Sequence, residues 1–164
     1  MQCLKKNIQL SGYTNVEVAE LALGDRMGVA PMFMSRRANW HSFYPTHAST
    51  GTRNVDMATV DHFVRSRESP TFVRMDVEGF ELAILKGMTE TLPRLHRLFI
   101  EIHADIMRLD DTRDLIARLR TQGFRVQFMV RYDYPGLSRV LPNDHIESVL
   151  RGDKGNYEVF FERG

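Results

Sequence analysis

Residues 71–92 read TFVRMDVEGFELAILKGMTETL, and two periodicities follow one another within them. The segment Thr71–Asp76 is a short apolar run of the kind that forms a buried strand. In residues 80–92 the apolar side chains recur every three or four positions, which indicates a helix with one buried face. Because residues 76–79, which include two carboxylates and a glycine, separate the two patterns, the stretch predicts a strand, a tight turn and a helix.

The C-terminal half repeats this order. Residues 98–102 are predicted as a strand, Asp111–Gln122 as a helix capped by Asp111, and residues 125–132 as another strand. A last strand, residues 157–162, follows a turn-rich segment without a helix and is therefore free to run antiparallel. Alternating strands and helices predict an α/β fold with a mostly parallel sheet covered by helices.

The N-terminal part is less regular. Residues 2–10 are predicted as an amphipathic helix and Val16–Leu23 as a strand. Residues 29–34 are predicted as a second strand, placed to return as a hairpin. The pattern is lost from Ser35 to Thr59, apart from the aromatic patch formed by residues 40–44, so this segment is predicted as a long loop.

Length and composition restrict the class of protein. The chain has 164 residues, about the size of one domain, so residues 1–164 are predicted as a single domain. The 22 basic residues nearly balance the 21 acidic residues, which argues against nucleic acid or an anionic membrane as a partner. One cysteine, Cys3, and no apolar stretch of signal or membrane-span length lead to the expectation of a cytoplasmic protein.

Ionisable side chains follow two neighbouring predicted strands. Asp76 and Glu78 come after the first of these strands, and Glu101 and His103 lie at the end of the second. Because ligands of open α/β sheets bind beyond the carboxyl ends of the strands, we expect these four side chains to share one crevice. Crowded carboxylates raise one another's pKa or recruit a cation, and both outcomes suit removal of a proton from a hydroxyl.

Each of these residues also has a purely structural interpretation. Asp76 and Glu78 are placed to cap the following helix, and His103 is placed to be an ordinary surface histidine. The aromatic patch 40–44 is interpreted either as the cover of a substrate pocket or as a small core under its loop. Gly87 is interpreted as a packing position, where the helix approaches its neighbours closely.

Several well-defined motifs are absent from the chain. It contains neither of the phosphate-binding patterns G-x-G-x-x-G and G-x-x-x-x-G-K-[ST], and it lacks H-E-x-x-H and G-x-S-x-G. A divalent cation between Asp76 and Glu101 is not supported by ligand spacing. The sequence therefore predicts no metal site.

The segment Val73–Gly87 resembles the K-I-D-V-E-G-x-E-x-x-V-L-x-G hallmark of FkbM-type S-adenosylmethionine-dependent methyltransferases, with Arg74 in place of the usual lysine. The resemblance covers residues 4–105. Further pieces fall in family order at Leu4–Asn7, Val16–Asp25, Thr59–Asp61 and Phe99–His103.

The resemblance implies a Rossmann-like class I methyltransferase sheet with S-adenosylmethionine as cofactor. By resemblance, Ala22, Leu23 and Gly24 flank the adenine and Asp76 lies near the transferred methyl group. The first two strands of that sheet and its D-x-G-A-N-x-G loop have no counterpart in these residues, which implies a truncated domain that binds the cofactor weakly or not at all. An open edge on Val16–Leu23 would then lead to self-association or to marginal stability.

The implied reaction is O-methylation of a hydroxyl on a small metabolite or sugar. Methyl transfer is an in-line displacement, so catalysis consists of positioning the acceptor oxygen and removing its proton. His103 or Asp76 is the expected base, Glu101 the residue that orients it, and Glu78 the residue that contacts the acceptor.

Two other classes of function remain open from the sequence. A non-catalytic α/β remnant or partner-binding subunit would bind no cofactor, and a metal-dependent hydrolase using the same carboxylates would lose activity on chelation. A nucleic-acid module is disfavoured, because the arginines of the predicted helix 111–122 are interleaved with acidic residues.

Overall fold

The computed structural model describes residues 2–37, 40–133 and 137–164. The helices are α1 (Gln2–Leu10), α2 (Val60–Val64), α3 (Glu81–Lys86), α4 (Leu109–Thr121) and α5 (Ile146–Leu150). The strands are β1 (Ala22–Leu23), β2 (Gly28–Ser35), β3 (Ser49–Ala58), β4 (Phe72–Met75), β5 (Arg97–His103), β6 (Phe124–Asp133), β7 (Leu137–Leu141) and β8 (Asn156–Arg163).

The larger sheet has the strand order β4-β5-β8-β6-β7. Strands β4 and β5 are parallel, with Met75 opposite Ile100. Strand β8 lies between β5 and β6 and runs antiparallel to both, which confirms the predicted direction of the last strand. The α/β class is therefore confirmed, but the expectation of a mostly parallel sheet is wrong, because β8 separates β5 from β6 and β7 returns antiparallel to β6.

A smaller sheet has the order β1-β3-β2. Strand β2 pairs with β3 in antiparallel register over its whole length, from Gly28 opposite Met57 to Ser35 opposite Ser49. The predicted long loop from Ser35 to Thr59 is thus wrong where β3 lies, while its positions 38–39 fall outside the described residues. Strand β3 could not be predicted from the sequence, because most of its side chains are polar and exposed and therefore show no alternation of apolar and polar residues.

The predicted strand Val16–Leu23 is reduced to the two residues of β1, which pair in parallel with β3. Residues 16–21 are not in a strand. The long open edge expected there is therefore wrong, and β2 pairs with β3 instead of returning to residues 16–23.

The helices differ from their predicted bounds in ways that packing explains. Helix α3 ends at Lys86 and is followed by a short 3₁₀ turn at Leu92–Arg94, so it is shorter than the predicted 80–92. Helix α4 begins after Arg108, which makes Asp111 a first-turn residue favoured by the helix dipole and not the N-cap. Strand β7 and the short helices α2 and α5 are too brief to show a periodicity in sequence.

The core lies between the larger sheet and helices α3, α4 and α5. These elements supply most of its fully buried side chains, among them Leu85, Leu98, Ile100, Ile102, Leu115, Leu119, Val149, Tyr157, Val159 and Phe161, and the segment between α3 and β5 adds Met88 and Leu95. Burial of this apolar surface is the main stabilising contribution and holds the ends of β4 and β5 in place. Among the described helices, none combines the length and apolarity that crossing a lipid bilayer requires.

Asp61 joins α2 to the segment that follows α3. Its carboxylate accepts hydrogen bonds from Thr89 Oγ1 and Glu90 N, both at 2.9 Å. It also accepts hydrogen bonds from Thr91 N at 2.8 Å and Thr91 Oγ1 at 2.7 Å. Burial opposes ionisation of Asp61, but these hydrogen bonds outweigh it and lower the pKa of the carboxyl group.

We expect Asp61→Ala to lower the free energy of unfolding by about 2 kcal/mol, because two backbone N–H groups and two hydroxyls lose their acceptor. Since the pKa of Asp61 is lowered by folding, this contribution is present above its ordinary pKa of about 4 and is lost as the pH falls through the lowered value. Urea denaturation at pH 7 measures the loss. The exposed Asp25→Ala is the control, and equal stability of the two variants would contradict the expectation.

Candidate active site

The carboxyl ends of β4 and β5 lie side by side because these strands are parallel neighbours. Asp76 and Glu78 follow β4, and Glu101 and His103 stand at the end of β5. All four line one cavity of about 740 Å³. The topology thus brings together the four side chains that the sequence grouped from strand ends alone.

The turn after β4 has an unusual backbone. Glu78 has φ 54° and Gly79 has φ 92°, both in the left-handed region that disfavours residues with side chains. Ser42 Oγ donates a hydrogen bond of 3.1 Å to the Glu78 carbonyl oxygen and thereby ties the turn to the loop after β2. Strain of this kind is retained where surrounding contacts enforce it, and here it accompanies a Glu78 carboxylate 3.7 Å from His103.

His103 is held from behind by a buried carboxylate. Its side chain is 2% exposed, and its Nδ1 lies 3.0 Å from Glu81 Oε1. The same Glu81 oxygen accepts the N–H of Gly79 at 3.2 Å, so the ring Nδ1 acts as the donor. His103 is therefore not the surface histidine of the structural interpretation.

The other ring nitrogen of His103 faces the cavity. Its Nε2 lies 3.6 Å from Glu101 Oε1 and 3.7 Å from Glu78 Oε2, both beyond hydrogen-bond length. In the neutral ring with the proton on Nδ1, the lone pair of Nε2 points towards these carboxylates. The lone pair and the negatively charged carboxylate oxygens repel one another. A proton, a cation or a substrate hydroxyl placed between Nε2 and these oxygens would replace this repulsion by attraction.

Glu81 is the site residue that sequence reasoning missed. It is 0% exposed, and its Oε2 has no hydrogen-bond partner among the described residues. A signal was present in the sequence, because Glu81 stands four residues before the apolar Leu85, at the i, i+4 spacing of positions on the buried face of a helix. A carboxylate on such a face needs a buried partner.

The crowding of these groups changes their protonation. Burial raises the pKa of Glu78 and of Glu101, and the charge of Asp76 raises both further, against the opposing effect of His103. Burial alone would lower the pKa of His103, but the hydrogen bond and charge of Glu81, with the charges of Glu101 and Glu78, raise it above its ordinary value. The cluster therefore favours added positive charge.

Asp76 does not cap the following helix. Its carboxylate accepts a hydrogen bond of 3.2 Å from the Arg74 guanidinium, and α3 begins after Phe80, whose side chain makes no capping bond. The capping interpretation of Asp76 and Glu78 is not supported. Both side chains remain available to the cavity.

A second, more apolar cavity of about 520 Å³ adjoins the first. Ala22 and Leu23 line it, and Asp76 and Glu78 line both cavities. Gly24 is buried against other parts of the chain, with its carbonyl oxygen next to Gly87. Of the three residues that the resemblance placed beside the adenine, two line this cavity, and Gly24 supports the strand behind them.

The aromatic patch 40–44 divides between its two interpretations. The Phe43 and Tyr44 rings pack on Phe80, with ring centroids 4.4 and 6.0 Å away, as the packing interpretation expects, although Tyr44 is 45% exposed and Phe43 lines the 520 Å³ cavity. Trp40 is 43% exposed and lines the 740 Å³ cavity. Its ring also receives the guanidinium of Arg37, 4.3 Å from the ring centroid.

Comparison with known proteins gives three matches. Residues 4–126 match the sequence model of a family described as Methyltransferase FkbM domain. Hexuronic acid methyltransferase AglP of Haloferax volcanii is 37% identical over 78 residues, which are 46% of this chain and 33% of that protein. The crystal structure of methyltransferase FkbM from Methylobacillus flagellatus KT aligns with a TM-score of 0.52 at 20% identity, over 96% of this chain and 33% of that one, and shows similarity of fold. The chain thus spans about a third of the length of the AglP protein and of the crystallised chain.

Proposed function

Because the chain belongs to the methyltransferase FkbM family, we propose that it takes part in the S-adenosylmethionine-dependent O-methylation of a sugar hydroxyl. The printed name of the Haloferax volcanii relative, a hexuronic acid methyltransferase, supports a sugar as the acceptor class. Within this proposal the larger sheet is the Rossmann-like sheet of a class I methyltransferase, and these residues do not supply its first two strands.

The observation that carries the proposal is the meeting of two cavities at Asp76 and Glu78. The cavity on the side of Ala22 and Leu23 is lined mainly by apolar side chains, which suits the cofactor. The cavity on the side of Glu101 and His103 offers carboxylates that hydrogen-bond hydroxyl groups. A methyl donor on one side and an acceptor on the other would face each other across these two residues.

The reaction proposed is a direct displacement. The acceptor oxygen forms a bond to the methyl carbon while the sulfur–methyl bond breaks, and that electron pair goes to sulfur. The hydroxyl proton passes to a base, for which His103 and Asp76 are the two candidates. Glu101 orients the base, Glu78 contacts the acceptor, and Glu81 positions the His103 ring through Nδ1.

The proposal is tested by methyl transfer from labelled S-adenosylmethionine to sugars. We expect labelled O-methyl sugar when the protein is incubated with millimolar cofactor and a panel of uronic, neutral and amino sugars. Product formation would exclude a non-catalytic remnant. Unlabelled sugars after prolonged incubation, with bound cofactor demonstrated separately, would contradict the proposal.

The cofactor affinity of this 164-residue chain remains a separate prediction. The chain holds no glycine-rich loop after a strand, so the polar contacts that such a loop makes are absent, at about 1–3 kcal/mol each. Isothermal titration is expected to give a dissociation constant well above micromolar. A micromolar constant in a monodisperse monomer would contradict this account of the cofactor site.

A further inference from the structure

We propose that Asp76, Glu78 and His103 bind one divalent transition-metal cation, such as Mn²⁺, in the 740 Å³ cavity. One ligand atom from each of these residues lies within 4.8 Å of the other two. Ligands on opposite sides of an ion with bonds of about 2.2 Å stand about 4.4 Å apart, so closure of the site needs movements of a few tenths of an ångström. Carboxylate oxygens suit hard cations and imidazole nitrogen suits borderline transition metals, so this set of two carboxylates and one imidazole suits a divalent transition-metal ion that accepts both kinds of ligand.

The distances around the imidazole support this assignment. The Glu78 Oε2 and Glu101 Oε1 atoms lie 3.7 and 3.6 Å from His103 Nε2, too far for hydrogen bonds. Together with Asp76, they place three carboxylates around one imidazole nitrogen. A cation at their centre would be attracted by all three charges and would accept the lone pair of Nε2.

An independent observation is that the His103 ring is buried and held in one orientation, with its Nε2 atom facing the cavity. The side chain is 98% buried, since only 2% is exposed, and Nε2 makes no hydrogen bond to any residue in the described part of the chain. Its Nδ1 is held by the fully buried Glu81 at 3.0 Å. A carboxylate behind the distal nitrogen is the usual support of a metal-binding histidine, because it fixes the tautomer and the ring orientation.

The consequence for chemistry rests on the proposed function, although the binding of the cation does not. Three protein ligands leave positions for an acceptor hydroxyl, whose pKa falls when it binds a cation. In the metal-bound site Asp76 and His103 act as ligands, so neither is the base. Glu101 is then the carboxylate that takes the hydroxyl proton while the oxygen attacks the methyl carbon.

The test is a titration of Mn²⁺ into the chain after treatment with EDTA, followed by the electron paramagnetic resonance signal of free Mn²⁺. We expect one ion per chain with a dissociation constant in the micromolar range. His103→Ala and Asp76→Asn should each weaken binding by about 10-fold or more. Asp105→Asn is the matched control, because it removes one charge from the same cavity without removing a ligand.

Three binding results would overturn the proposal. The first is an absence of binding below millimolar Mn²⁺, and the second is equal weakening in Asp76→Asn and Asp105→Asn, which would indicate diffuse attraction to an acidic cavity. Because His103→Ala removes a buried partner of Glu81, Glu78→Gln serves as a further ligand variant, on a side chain that is 22% exposed. A Glu78→Gln variant that binds Mn²⁺ as tightly as the unaltered chain would also overturn it.

The outcomes separate this site from the proposed function. Mn²⁺ binding that follows the ligand variants, without methylation of any sugar, would support the cation site and contradict the proposed function. Sugar methylation at full rate in the presence of EDTA would support the function and contradict the part assigned to the cation in the reaction, whereas the Mn²⁺ titration alone decides whether the cation binds.

Discussion

His103→Ala and Asp76→Asn are each expected to lower the rate of the proposed sugar methylation by about 100-fold or more, the usual consequence of losing a positioned acid–base group or metal ligand. Both side chains line the proposed acceptor cavity, and the Nε2 atom of His103 faces Glu101 at 3.6 Å. The expected loss is the same for a base and for a metal ligand, so only the Mn²⁺ titration separates these two roles.

The two variants differ in their cost to the fold. His103→Ala leaves the buried Glu81 carboxylate with only the N–H of Gly79 as a partner, and loss of one partner of a buried charge pair costs about 3–5 kcal/mol. Asp76→Asn keeps the shape of a side chain that is 34% exposed, so its effect on activity is the clearer of the two. Circular dichroism and thermal unfolding of both variants establish how much of each loss comes from unfolding.

Initial rates at varied sugar and cofactor concentrations give kcat and kcat/KM for each variant. His96→Ala is the control, because His96 is an exposed histidine just before β5, at the opposite end of the strand from His103. If the folded Asp76→Asn and His103→Ala variants methylated sugars as fast as the unaltered chain, the proposal that this cluster removes the hydroxyl proton would be contradicted.

How much of the fold could be predicted depended on burial. Strands β4 and β5 and helix α3 carry apolar side chains at the spacing of their own periodicity, so the sequence located all three. Strand β3 is mostly exposed and polar and has no such spacing. The position of β8 between β5 and β6 could not be predicted, because the order of strands in a sheet depends on tertiary contacts and the local residue pattern carries no information about it.

The same reasoning separates the site residues. Asp76, Glu78, Glu101 and His103 were grouped correctly in space because all of them lie at or just after the carboxyl ends of strands, and parallel neighbours place those ends together. Glu81 was not included, because its partner His103 is 22 residues away and the two meet only when α3 packs over the end of β5. The strand-end rule identifies side chains at the carboxyl ends of strands. It misses side chains such as Glu81, which belong to a helix that packs over those ends.

Gly87→Ala is expected to lower the free energy of unfolding by about 3 kcal/mol or more, through a steric clash with the backbone. A Cβ atom on Gly87 would lie 2.1 Å from the Gly24 carbonyl oxygen and 3.2 Å from Thr59 Cβ. Relief requires movement of the backbone that leaves β1 or of the start of α2, and neither is the free end of a flexible side chain.

The clash is the whole of the expected cost at this position. Gly87 has φ −87° and ψ 11°, which residues with side chains also adopt, so alanine meets no conformational penalty there. Replacing glycine by alanine also restricts the unfolded chain, which by itself stabilises by about 0.4–1 kcal/mol. A net loss in Gly87→Ala therefore measures a steric term larger than the difference observed.

The measurement is urea denaturation followed by circular dichroism, with Gly51→Ala as the control. A Cβ on Gly51, in β3, would meet no atom within 4 Å, so we expect a change within about 0.5 kcal/mol. Equal stability of the two variants would contradict the close approach of α3 to Gly24. Because Gly24 directly follows the two residues of β1 that line the 520 Å³ cavity, a folded Gly87→Ala protein should also need a higher cofactor concentration for half-maximal rate while kcat changes less.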